Sequence, residues 1–310
     1  MELAGFIVGP ERSGTTVTSA FLSQHPEVYV INDPHYLNFF AESLLKAYGP
    51  EVAANQSLFE QINSPNASLL LSGLLNSTLE AVRSWYNRWK EFKDDPVDLD
   101  AFYSAHSILC STDPVSISRY FHKFHLSLVP SSMRSTKSKY VVKIPDLARY
   151  AFLINMIYPQ VPVIFNVRHP VCNIASIIGP NADRGWSFDQ IIQWYKCFFP
   201  HDVLNKSRPG VFFTRYEDLI FYKRSESLSK ILQILGLEAT NVNLNDSFDY
   251  PNKKVMYKTK GKIDPERLVA SLQELTPLQL LQSLEATTDI QESFYKDISL
   301  MKIIEDVRGR

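Results

Sequence analysis

The strongest constraint on this chain lies in its first thirty residues. Gly5-Phe6-Ile7-Val8 is a short, wholly apolar run that stops at Gly9-Pro10, the pattern of a buried strand feeding a turn. Residues 15–23 then read as a helix, His25-Pro26 closes it, and Val28-Tyr29-Val30-Ile31 supplies a second strand rich in β-branched and aromatic residues. Strand, loop, helix and strand in so short a stretch form the building block of a parallel sheet. Further strands are expected at 140–143, 161–167 and 211–214. Helices are expected at 147–158, 171–178, 189–198 and 226–235, the last closed by Gly236 as a C-cap. The expected fold is α/β, a P-loop-type parallel sheet flanked by helices, in one domain spanning 1–310.

Residues 37–138 read differently. Leucine-rich helical periodicity runs around 68–89, Asp94-Asp95-Pro96 breaks it, and 130–138 reads as a polar, Ser-rich loop. This stretch is expected to be a helical insertion forming part of an acceptor site. Its Trp85, Tyr86, Trp89, Tyr103 and Phe121 could stack on an apolar or sugar acceptor, although aromatic residues at helical spacing equally suit a core. Toward the C-terminus, Pro265-Glu266 and Thr276-Pro277 are helix starts with Pro just inside a cap.

Hydrophobic residues make up 45% of the 310, enough for a sizeable core. Lys plus Arg number 32 against 33 Asp plus Glu, so the whole chain does not attract nucleic acid or an anionic membrane, and any anion site must be local. No apolar run approaches the ~20 residues that span a bilayer, and Met1-Glu2 lacks the basic start of a signal peptide. The three cysteines, Cys110, Cys172 and Cys197, form no C-x-x-C pair, which suits a reducing, cytoplasmic compartment and no zinc cluster. Sequons at Asn55, Asn66, Asn76, Asn205 and Asn245 leave a secretory origin open.

The segment richest in chemistry is Gly9-Pro10-Glu11-Arg12-Ser13-Gly14-Thr15-Thr16. Two glycines frame a turn that can present backbone N–H groups and a helix N-terminus to a phosphate or sulfate. A nucleotide triphosphatase would need Lys where Thr15 stands, to reach the outer phosphates. Here the cation is Arg12, inside the loop, and the hydroxyls of Ser13, Thr15 and Thr16 add donors.

Pro10 to Thr16 resembles the 5′-phosphosulfate loop of sulfotransferases that use 3′-phosphoadenosine 5′-phosphosulfate (PAPS). Val163-Ile164-Phe165-Asn166-Val167-Arg168-His169-Pro170, followed by Ser176, looks like that family's 3′-phosphate segment, with Arg168 and Ser176 gripping one phosphate. Thr214-Arg215-Tyr216-Glu217-Asp218-Leu219 is similar to the family's strand end whose Tyr contacts the adenosine, a role the resemblance gives Tyr216. Lys258-Thr259-Lys260-Gly261-Lys262 resembles the basic loop closing over the 3′-phosphate, which implicates Lys258, Lys260 and Lys262. Val142-Lys143-Ile144-Pro145 resembles a strand end whose Lys steadies the sulfuryl group in flight. The likeness covers roughly 4–35 and 140–262. It is nearest the tyrosylprotein sulfotransferases and related bacterial enzymes, whose catalytic Glu corresponds by position to Asp33. His35, two residues on, is the alternative base, of the residue type the cytosolic branch uses.

The resemblance implies in-line displacement on PAPS as co-substrate, with Arg12 and Lys143 neutralising charge and Asp33 or His35 taking the acceptor proton. No metal is expected, for want of a Walker-B-like acid or an H-x-x-x-H cluster. The acceptor could be a small molecule, a carbohydrate or a peptide, and the oligomeric state is not encoded legibly. Two other readings stand beside this one. A P-loop nucleotide kinase would need Lys near Thr15 and a metal-binding acid, and would show magnesium-dependent ATP turnover. A catalytically silent PAPS-fold binding protein would use the helical insertion for partners, a reading that gains if Asp33→Ala and His35→Ala each leave transfer untouched.

Overall fold

A computed structural model describes residues 1–48, 114–181, 185–239 and 266–309, together with the single helical positions Gly73, Ser77, Glu80 and Ser84. Lys258, Lys260 and Lys262 lie outside the described residues, as do Trp85, Tyr86, Trp89, Tyr103 and the break at Asp94-Asp95-Pro96.

The core is a five-stranded sheet in the order β2-β3-β1-β4-β5, every pair parallel. Its strands are β1 (Glu2–Val8), β2 (Val28–Asn32), β3 (Lys139–Lys143), β4 (Val163–Val167) and β5 (Val211–Arg215). Parallel strands must return over the sheet faces, so both faces are covered and strand residues of both parities turn apolar. Phe6, Val8, Tyr140, Val142, Phe165 and Val167 pack on one side, while Ala4, Ile7, Val28, Val30, Val141 and Ile164 pack on the other.

The second side is roofed by α1 (Thr15–Ser23), α9 (Arg224–Ile234) and α13 (Leu300–Arg308), through Phe21, Leu22, Ile231, Leu232, Ile303 and Val307. The first is covered by α2 (Tyr36–Tyr48), α3 (Pro114–Ser127), α5 (Ala151–Ile157), α6 (Pro170–Asn181), α7 (Phe188–Lys196), α8 (His201–Leu204) and α12 (Thr288–Phe294). Two further helices, α10 (Glu266–Ala270) and α11 (Pro277–Ala286), stand near the C-terminus. Thr276 caps α11 in a reciprocal capping box with Gln279, the start expected from Thr276-Pro277. Gly236 closes α9 as expected: the Leu237 N–H donates to Leu232 O at 2.8 Å and the Gly236 N–H to Gln233 O at 3.1 Å. No helix among the described residues is long and apolar enough to cross a membrane.

Three local expectations need correction. The Ser-rich loop contains a helix, α4 (Ser131–Thr136), because the Pro130 carbonyl accepts from the N–H of Met133 and Arg134 and so starts a turn that short polar side chains tolerate. The helix expected over 147–158 is split into a 3-10 turn, Pro145–Tyr150, and α5, since Pro145 and Asp146 favour a tight first turn. Strand β4 starts at Val163 rather than 161, because Pro162 has no N–H to give to a ladder. Phe121, a candidate acceptor-site aromatic, is 1% exposed and packs on Tyr36 and Phe40 within the core.

One core feature carries a pH dependence. His125 is fully buried with its Nδ1 3.3 Å from the Tyr140 hydroxyl, and burial pushes its pKa from 6.5 down to about 3. The folded chain therefore binds a proton there less readily than the unfolded chain. Stability is complete above the unfolded value and is lost as pH falls from it toward the folded one. Between about pH 7 and about pH 5 the melting temperature should drop by roughly 5 °C. His125→Leu should remove part of that drop, because Tyr140 keeps its bond to His122 Nδ1 at 2.6 Å. Differential scanning calorimetry of both chains checks this, and parallel slopes would exonerate His125.

Candidate active site

Because all five strands run the same way, their carboxyl ends share one edge, where open α/β sheets build ligand sites. The candidate residues converge there. Loop 9–14 follows β1, Asp33 follows β2, Lys143 ends β3, Arg168 follows β4 and Tyr216 follows β5. The register sets Ile7 and Asn32 on either side of Lys143, and Val167 beside Arg215.

The loop is tightly determined. Gly9 has φ 150°, and a Cβ there would collide with the Asn166 carbonyl. Gly14, the N-cap of α1, has φ 95°, and a Cβ there would overlap the Tyr216 ring, so only glycine lets that ring close on the loop. Arg12 adopts φ 66°, a left-handed backbone that costs a non-glycine residue energy and clusters at functional sites.

Gly14 offers no side-chain cap to the first turn of α1, and no acid stands in that turn to offset the helix's positive end. Beside it the Ser13 hydroxyl is wholly buried without a hydrogen-bond partner among the described residues, an orphan that a tetrahedral anion oxygen would satisfy. Thr15 is 4% exposed, Thr16 is half-buried, and Arg12 is exposed.

The second candidate stretch, from the end of β4 into α6, reaches this loop directly. Arg168 is buried, its Nη1 donates to the Arg12 carbonyl at 3.4 Å, and its guanidinium lies 5.2 Å over the Tyr216 ring. On α6, Asn173 Nδ2 donates to the Glu11 carbonyl at 2.8 Å. Ser176, half-buried, stands three residues on and therefore shares that helix face. Asn166 Nδ2 donates to Thr18 Oγ1 at 2.7 Å, tying β4 to α1.

On the next strand of the edge, Lys143 is 3% exposed and its Nζ lies 2.7 Å from Asp33 Oδ2. The Asp33 N–H donates to the Lys143 carbonyl at 2.8 Å, so the two residues are pinned by backbone and side chain alike. Asp33 and His35 have φ 50° and 47°, with Pro34 between. Two left-handed residues in three mark a strained turn. His35 Nδ1 is 3.5 Å from Asn38 Nδ2 on α2.

Sequence reasoning passed over Asn166, Asn173, Glu217 and Tyr295. Asn166 had a visible signal, a polar residue amid four apolar ones in a strand. Glu217 is wholly buried, and burial pushes its carboxyl upward against the opposing pull of Tyr295, the His169 N–H and Arg168. Tyr295 had no signal, since its contact is 78 residues away in the chain.

Two cavities lie away from this edge. One, of about 1260 Å³ and mostly apolar, opens among α10 to α13 and touches the candidate residues only through the neighbouring His169 and Tyr295. The other, of about 600 Å³, flanks β5 near Arg215 and Lys230.

Residues 6–241 match the family model described as "Sulfotransferase family". Among solved structures, the chain is similar to the sulfotransferase STF9 of Mycobacterium avium at 14% identity and TM-score 0.47, covering 96% of this chain and 78% of that one. It is similar to the sulfotransferase domain of the Synechococcus PCC 7002 olefin synthase at 18% identity and TM-score 0.48, covering 92% and 94%. A sulfotransferase from Alicyclobacillus acidocaldarius aligns at 14% identity and TM-score 0.45 over 98% and 99%. No curated protein sequence matches the chain.

Proposed function

This chain belongs to the sulfotransferase family, and on that footing we propose that it transfers the sulfuryl group of PAPS to an acceptor hydroxyl or amine. The observation that carries the reading is the meeting of the two anion-binding stretches, with Arg168 bonded to the carbonyl of Arg12 inside the loop. Two phosphate-type groups of one nucleotide can then be held at once. The loop N–H groups, the Ser13, Thr15 and Thr16 hydroxyls and Arg12 suit the 5′-phosphosulfate. Arg168 and Ser176 suit the 3′-phosphate, with Lys258, Lys260 and Lys262 as further cations for it, and Tyr216 suits the adenosine. The site residues fit this co-substrate because they offer donors and cations, with a buried hydroxyl still lacking its acceptor.

PAPS supplies a sulfur joined to a good leaving group. The acceptor oxygen or nitrogen bonds to that sulfur as the bond to the 5′-phosphate oxygen breaks, and adenosine 3′,5′-bisphosphate (PAP) departs. Asp33 takes the acceptor proton, while Lys143 and Arg12 meet the negative charge that spreads over the sulfuryl and leaving oxygens. Lys143 Nζ lies 2.7 Å from Asp33 Oδ2, and a sulfuryl group brought between them can draw the ammonium away and release the carboxylate. The ion pair also favours a second reading, in which Asp33 only holds Lys143 and His35 is the base. The acceptor, a small molecule, carbohydrate or peptide, enters over Asp33 and His35 from the side of α2. Support for that route is that α2 begins directly after His35.

Titration calorimetry tests the donor site. PAP should bind well above its analogue lacking the 3′-phosphate, and Arg168→Ala should weaken PAP about 30-fold while changing the analogue less than about twofold, as expected for a buried charge-assisted bond. Equal losses would take the 3′-phosphate away from Arg168. A labelled-PAPS screen over phenols, sugars, amines and tyrosine peptides then identifies the acceptor class.

A further inference from the structure

We infer that Tyr295 and Glu217 form a buried positioning pair that fixes Arg168 for the 3′-phosphate, so that the chain beyond the family match completes the nucleotide clamp. The inference rests on the donor site proposed above. Tyr295 belongs to the C-terminal part of the chain, past residue 241 where the match ends.

The geometry brackets Arg168 from both chain neighbours. Glu217 Oε1 accepts from the His169 N–H at 3.0 Å, and Glu217 Oε2 accepts from the Tyr295 hydroxyl at 2.6 Å. That hydroxyl also lies 3.3 Å from the Val167 carbonyl. It has one proton, and the shorter contact assigns it to Glu217. The Tyr295 ring then stands edge-on to His169, with centroids 5.0 Å apart and planes at 67°. Residue 169 is thereby bonded to the pair on one side of Arg168, and the Tyr295 hydroxyl lies against the Val167 carbonyl on the other. Glu217 is next in sequence to Tyr216, whose ring underlies the Arg168 guanidinium, so backbone and side chain of the arginine are held by adjacent residues.

The energetics favour this purpose over plain packing. A wholly buried carboxylate is costly to fold, and it is tolerated only where donors reach both oxygens. An apolar residue would fill the same space more cheaply, but it would offer no acceptor to the His169 N–H and the Tyr295 hydroxyl. With both bonds made, the backbone next to Arg168 is fixed at the strand end, and part of the ordering cost of the guanidinium is met before the nucleotide arrives.

Tyr295→Phe keeps the ring and removes only the hydroxyl. In calorimetric titrations PAP affinity should fall about tenfold and the analogue lacking the 3′-phosphate should bind as in the unaltered chain, the size expected for a bond to a charged group. Glu217→Gln, which keeps the shape, should shift the same ratio in the same direction, and melting temperatures recorded alongside establish that both variants are folded. Equal weakening of both nucleotides, or no change in either, in folded variants overturns the positioning role while leaving the donor site intact. An unaltered chain that does not prefer the 3′-phosphate overturns the donor site and this inference together.

Discussion

Lys143→Met should lower the rate of sulfuryl transfer about a thousandfold while leaving PAP affinity within a factor of about three, the size seen when one donor is removed from developing negative charge. Methionine keeps the buried apolar stem at the end of β3 and removes only the ammonium, so packing on the Val142 side is preserved. Asp33, 36% exposed at its side chain, can turn to water when its partner is gone, and the fold should tolerate the change. The contrast between rate and affinity is the informative part. Arg168 is proposed to hold the 3′-phosphate of the bound nucleotide, whereas Lys143 stands one strand beyond the Arg12 loop, beside the proposed base. Single-turnover rates with saturating PAPS, set against PAP titrations, make the comparison, and a variant within tenfold of the parent rate would remove Lys143 from the chemistry.

Asp33→Asn should cost transfer about a thousandfold, within the range for loss of a positioned general base, while His35→Gln should keep the rate within a factor of about five. Asparagine retains an oxygen that can accept from Lys143 Nζ, so the turn at 33–35 keeps its backbone bond and most of its geometry. It withdraws the counter-charge from a buried ammonium, however, and some loss of melting temperature is expected. PAP titration shows whether the damage is confined to the acceptor side. The reverse pattern, with Asp33→Asn active and His35→Gln dead, would make His35 the base and leave Asp33 as the partner of Lys143. If both retain full activity, proton removal by this turn is abandoned altogether.

Much of the site was legible because its signals are local. A strand that ends on Gly9, a loop bearing Arg12 and Ser13, and a helix opening at Thr15 are each statements about neighbouring residues, and the backbone follows them residue by residue. The strand ends at Lys143 and Arg168 were legible for the same reason: a cation terminating an apolar run is conspicuous. The bonds that hold these pieces together were not. Asn173 reaches Glu11 across 162 positions and Glu217 reaches His169 across 48, and nothing in a short window of sequence marks such partners. The turn Asn32-Asp33-Pro34-His35 shows the boundary well. Its polar, Pro-containing composition predicts a turn, yet neither the left-handed backbone of Asp33 nor its ion pair with Lys143 could be read from it.

The amino-acid order by itself determined the alternation of apolar strands with helices, and the position of the glycine-framed loop between β1 and α1, because both depend on periodicity and on glycine and proline at fixed neighbours. Only the tertiary structure decided that Asp33 pairs with Lys143, that Tyr216 closes on Gly14 beneath Arg168, and that Tyr295 donates to Glu217. Those contacts follow from the order in which five parallel strands lie side by side. That order is settled by burial summed over both sheet faces, a property of the folded chain as a whole.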